Sequence, residues 1–206
     1  MTKMMRLIGR FFQGKVNRLE IAFAAACKPF HDDIERVERA AARHQAEVDA
    51  GRAVWDEVTD DGDHYSYGEQ FGEERDEAEE ALHTLRKAFC FLIYHQWERT
   101  SQRWSAKKNP VHADLIAGAQ AQGIPLDVAG LEVLRLLVNT LKHNSSSCGP
   151  ALFALRPDLF ESGFAPNATN ALTGQPPKSI NWADGVSLTD SNIADFFKTV
   201  SASVPC

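Results

Sequence analysis

The sequence predicts an all-α protein: a helical bundle of five or six helices, with a small β-hairpin near the C-terminus. Three observations carry this. Apolar residues recur at three- and four-residue spacing over long stretches, as a helix with one buried face requires. Helix start signals (Asn109-Pro110, Asp127 and Thr189-Asp190) open several of those stretches. Little of the remainder reads as strand. The 206 residues are 44% hydrophobic and 24% charged, which suits a single soluble domain (1–206) able to bury a full core.

Met4 to about Ala50 reads as one long helix or two, with Leu7, Phe11, Leu19, Ala22, Phe23 and Ala26 turned inward. Proline lacks the backbone donor a helix needs, so a kink or break is expected just before Pro29. A second stretch then runs from His31 through Ile34, Val37, Ala41 and Val48. Residues 51–72, with Asp60-Asp61-Gly62-Asp63 at their centre, are expected to form an acidic loop. Glu73–Trp104 is the clearest helix, striped by Ala78, Leu82, Leu85, Phe89, Leu92, Trp97, Thr100 and Trp104. Its first turns are acidic and its end basic (Arg99, Arg103, Lys107, Lys108), as the helix dipole favours. Phe89–Tyr94 is apolar all round, which places this helix at the centre of the bundle.

Asn109 as cap and Pro110 at the first helical position begin a short helix that ends near Gly123. Asp127 caps the next, which runs through Leu131, Leu134, Val138 and Leu141 to about His143, with a further turn at Pro150–Leu155. Residues 162–188 read as irregular loop, within which Ile180–Leu188 is expected to make the hairpin around Ala183-Asp184-Gly185. Residues 189–203 close the chain as an amphipathic helix with Ile193, Phe196, Phe197 and Val200 inward.

Charge and cysteine usage narrow the function classes. The net charge of −6 argues against a general nucleic-acid or membrane coat. It is unevenly spread: His31–Arg86 holds 18 acidic and 6 basic residues, so the rest of the chain is net basic. Cys27, Cys90, Cys148 and Cys206 form no metal-binding pair and read as reduced thiols. The longest apolar run, Ala88–Tyr94, is far short of a membrane span, and the basic N-terminus lacks the apolar core of a signal peptide. A cytoplasmic protein without membrane partners is expected. No phosphate-binding loop, nucleophile elbow, zinc-helix motif or dinucleotide fingerprint is present, so no cofactor or metal is expected.

One segment carries chemistry. With Leu131 at zero and ~100° per residue, Lys142, Arg135, Asn139, Glu132 and His143 fall between about 20° and 120°, on one narrow polar stripe. A solvated helix face explains such a stripe. Asn, however, is a poor helix former for a merely wet position. Histidine can also trade a proton near neutral pH, and Arg and Lys can stabilise charge developing on a phosphate.

Asn139-Thr140-Leu141-Lys142-His143, near the end of a helix in an all-α chain, resembles the signature of the HEPN superfamily, usually Arg-Asn-x-x-x-His. The resemblance covers about Glu73–His143. It implies a helical bundle that pairs as a homodimer, with two motifs meeting to form a metal-independent RNA endonuclease site in a toxin–antitoxin or phage-defence setting. His143 would be the general acid/base, Arg135 and Lys142 would steady the phosphate, and Asn139 would position it. RNA would be the substrate, and an antitoxin or defence protein a further partner. The residue before Asn139 is Val138 rather than Arg, and Arg135 is the nearest upstream arginine on the same face. The resemblance therefore equally implies a catalytically inactive binding or regulatory module. Two other groups have readings of their own. His95 and Glu98 would support the catalytic face, or form a structural polar cluster. Arg99, Arg103 and Lys107, beside Trp104, would take a nucleic-acid backbone, or simply complement the helix dipole. His31, His44, His64, His83 and His112 lack ligand-spaced partners.

Overall fold

The computed structural model describes residues 3–58, 61–105, 107–168 and 179–205. Among them are seven α-helices and one two-stranded antiparallel sheet: α1 (Lys3–Asp49), β1 (Asp56–Val58), β2 (His64–Ser66), α2 (Tyr67–Ser101), α3 (His112–Ala121), α4 (Val128–His143), α5 (Cys148–Leu155), α6 (Trp182–Gly185) and α7 (Asp190–Ala202). The architecture is all-α with one small hairpin. The chain groups into two compact units, residues 1–22 with 86–206 and residues 23–85.

The larger unit is built around α4, which buries Leu131, Leu134, Leu136, Leu137, Val138 and Thr140. Phe89, Ile93 and Trp97 of α2, Leu115 and Ala119 of α3, Leu152 of α5, and Ile193, Phe196 and Val200 of α7 are buried with it and complete the apolar core of this unit. Polar side chains fasten both ends of α4. At its start the Asp127 carboxylate accepts the Gly130 N–H (3.0 Å) and the Thr199 hydroxyl (2.9 Å), and the Asp127 N–H donates to Ser203 Oγ (3.0 Å). One residue thus caps α4 and ties α7 to it. At the other end Asn144 turns left-handed (φ 46°), and its side-chain Oδ1 accepts the N–H groups of Trp182 (2.7 Å) and Ala183 (3.2 Å). The residue that ends α4 therefore also anchors α6.

In the smaller unit the hairpin lies against α1. The His44 ring sits 4.8 Å from Trp55, 4.4 Å from Tyr67 and 5.9 Å from Phe71, and its Nε2 is 2.9 Å from the Val54 carbonyl. Arg36 bridges the helices through Glu74 (3.3 Å).

Several expectations are corrected. α1 runs through Pro29 unbroken. Pro29 and Ala25 are both exposed, so the carbonyl that loses its donor faces water and the helix survives. The inward face of α1 is Gly9, Phe12, Val16, Phe23, Cys27 and Val37, whereas Leu7, Phe11 and Ala22 are exposed. The hairpin stands within the stretch read as acidic loop, with α2 starting already at Tyr67. Ile180–Leu188 instead forms the turn α6 and a single bridge from Val186 to Phe160. Its neighbours 169–178, read as irregular loop, lie outside the described residues. α2 ends at Ser101, followed by a tight turn over Gln102–Trp104, and Leu92 faces out. α3 starts at His112, not Pro110, because the Asp114 carboxylate takes the Val111 N–H (3.1 Å) and sets the first turn there. The terminal helix and its four inward residues stand as expected.

Candidate functional site

The polar stripe of α4 has two dissimilar ends. At the N-terminal end, Arg135 donates from Nε to Glu132 Oε2 (2.7 Å) and from Nη2 to Glu132 Oε1 (2.6 Å). This is a two-pronged pair within one helical turn. It holds the guanidinium firmly protonated and keeps the Glu132 carboxyl below the usual carboxylate range. Asn139 Nδ2 donates to the Arg135 carbonyl (2.9 Å), back-bonding along the helix. At the C-terminal end, Lys142 and His143 are exposed, and neither makes a hydrogen bond or ion pair among the described residues. Eight residues at 1.5 Å rise separate Arg135 from His143 by about 12 Å along the helix.

What gathers around Arg135 comes from elsewhere in the chain. The Tyr94 hydroxyl of α2 lies 3.0 Å from Nδ1 of His112, the first residue of α3. His112 Nε2 lies 3.7 Å from Glu132 Oε2. The imidazole also packs on Tyr94 (6.0 Å, stacked) and Trp97 (5.4 Å). The result is a relay, Tyr94–His112–Glu132–Arg135, drawn from three helices and only partly open to water. Burial lowers the His112 pKa, against the smaller opposing pull of Glu132. Burial also raises that of Tyr94, with the Glu98 carboxylate adding to it. The phenol therefore keeps its proton and donates to a neutral imidazole, whose Nε2–H faces Glu132.

The other expected residues are distributed as follows. His95 Nδ1 meets Glu98 Oε2 at 2.9 Å, and Glu98 acts electrostatically on Tyr94 and His112. Arg99, Arg103 and Lys107 do not form one strip. The helix stops at Ser101, Arg99 and Arg103 point into solvent, and Lys107 pairs with Asp114 (2.6 Å). The structure thus places Arg135 in the relay and Glu98 within its electrostatic reach, ties His95 only to Glu98, and keeps Lys142 and His143 apart.

Tyr94, Trp97 and His112 went unrecognised as site residues in the sequence. Tyr94 reads as the end of an apolar run, and His112 stands 18 residues away with no motif linking them. The one signal was a tyrosine and a tryptophan in an otherwise aliphatic helix centre, since their polar atoms need partners when buried. Trp97's need is unmet: its Nε1, like the Oγ of Ser101, is buried without a hydrogen-bond partner among the described residues. Among the described residues no three His, Cys, Asp or Glu side chains converge as metal ligands, and no helix is long and apolar enough to cross a membrane. Comparisons with protein-family models, with curated proteins and with solved structures returned no match.

Proposed function

We propose that this chain is a non-catalytic helical binding module of the kind the HEPN resemblance includes. The observation that carries this reading is the commitment of Arg135. A phosphate-steadying arginine needs its N–H groups free to meet the ligand, and here two of them are spent on Glu132 at 2.7 and 2.6 Å. Displacing that carboxylate with a phosphate would cost a two-pronged charge-assisted pair and leave Glu132 facing the incoming anion. Asn139, the next residue of the motif, is likewise turned to the backbone.

The second reading, a metal-independent RNA endonuclease, draws on Lys142 and His143. They are adjacent, exposed and uncommitted, and a second copy could supply the groups one chain lacks. The experiment is incubation of a labelled RNA pool with wild type and His143→Ala, each with and without EDTA. The binding-module reading expects no cleavage above the protein-free control in any lane. Cleavage by wild type that survives EDTA and falls about 100- to 10,000-fold in His143→Ala would establish the nuclease reading instead.

A further inference from the structure

Residues 4–22 of α1 carry a face that the fold leaves uncovered. α1 buries Phe12 and Val16, yet Met4, Leu7 and Phe11 on another side of the same helix are 67%, 49% and 67% exposed. At ~100° per residue these three fall within about 60° of one another, so they form one apolar stripe. Arg6, Arg10, Lys15 and Arg18 flank or continue it, and none of the four has an ion-pair partner among the described residues. Met4, Arg6, Leu7 and Arg10 line a single recess. The first acidic residue of the chain is Glu20. An apolar stripe framed by uncommitted cations calls for a partner that is apolar in the middle and acidic around it.

This chain carries such a surface in its other unit. Phe23–Leu85 holds 18 acidic and 6 basic residues. Its hairpin packs Trp55 and Tyr67 toward His44, and the pairing of Asp56 with Ser66 and Val58 with His64 puts those residues on the opposite, outward face. There Val58 is 71% exposed, with Asp56 on the same face and Asp61 and Asp63 exposed in the turn. Val54, 50% exposed, precedes the strand. One surface is basic around an apolar stripe, the other acidic around the exposed Val58.

We propose that the uncovered face of α1 is an interface with a second copy of this chain, whose acidic hairpin docks on Met4, Leu7 and Phe11. Continued to Ile21, which is 69% exposed, the helix face that starts at Met4 is only about 27 Å long. One such contact is small beside the ~800 Å² per partner of a stable complex. A two-fold pair, in which each copy gives its hairpin and receives the other's, makes the contact twice. The inference stands independently of whether the α4 stripe binds or cleaves anything.

The test is charge reversal with exchange, read by light scattering at micromolar concentration. Wild type is expected at twice the 22.8 kDa chain mass, and Arg6→Glu/Arg10→Glu and Asp56→Lys/Asp61→Lys each to weaken self-association by about tenfold or more. All substituted positions are exposed, so circular dichroism should show both variants folded. Mixing the two variants restores both contacts at once, because each reversed patch meets a reversed patch, and the mixed pair should form where neither variant pairs alone. A monomeric wild type, a dimer indifferent to both reversals, or a mixture that stays monomeric overturns the proposal. So does a wild type that stays monomeric and sediments with vesicles containing phosphatidylserine, which would assign the same face to an anionic membrane surface.

Discussion

The two ends of the α4 stripe share a helical face and almost nothing else. Arg135, at one end, is 27% exposed, gripped by Glu132 and placed beside Tyr94 and His112. His143, two turns on, is exposed with no partner among the described residues. Angular position on a helix says which residues look the same way. What each can do depends on what packs opposite it, and α3 covers only one end. Several experiments would break or sharpen the contrast.

The largest effect should come from His112→Ala. It removes a ring packed on Tyr94 and Trp97 and leaves the buried Tyr94 hydroxyl without its partner. A loss of about 2–4 kcal/mol in a urea melt is expected. A loss under about 0.5 kcal/mol would mean the relay is not a packed unit. Tyr94→Phe, which keeps the ring and drops only the hydroxyl, should cost about 1 kcal/mol.

Next is pH. The folded protein binds a proton at His112 less readily than the unfolded chain, because burial opposes the charge. Stability from this group is therefore complete above the ordinary histidine value of roughly 6.5 and is lost as pH falls below it toward the lowered folded value. Glu132, lowered by Arg135, adds a second loss in the same direction on further acidification through the carboxylate range. Urea midpoints measured from pH 8 down to pH 5 should fall, and His112→Gln should flatten the upper part of that slope. An unchanged slope in His112→Gln would remove His112 as its source.

Arg135→Ala should cost about 1 kcal/mol, since Glu132 at 41% exposure can turn to water once its partner is gone. The smallest effect belongs to His143→Ala, expected within about 0.5 kcal/mol of wild type. Unfolding of that variant would contradict the free, solvent-facing placement of the side chain.

The helical class, the α4 and α7 boundaries and their N-terminal caps were legible because they depend on local chemistry: apolar spacing, and an Asp or Thr before the first turn. The face that α1 buries was not. Its helix has apolar residues on two sides, and only packing selects Phe12 and Val16 over Leu7 and Phe11. Pro29 shows the same limit, since the cost of its missing donor depends on whether the orphaned carbonyl reaches water, as it does beside exposed Ala25.

From the sequence alone came the all-α class, the acidic middle against a basic remainder, and the polar stripe from Glu132 to His143. Each follows from residue type and periodicity, which are properties of a segment by itself. Only the tertiary structure decided that Arg135 pairs with Glu132 beside His112 while His143 stands apart. It alone placed the strands inside the acidic stretch, and it alone left a basic apolar face open on α1. Those outcomes depend on which residues distant in the chain arrive opposite one another, and on how much water their meeting excludes. That exclusion lowers the His112 pKa and leaves Trp97 Nε1 buried without a partner among the described residues, and where no element arrives, as over Phe11, the water stays.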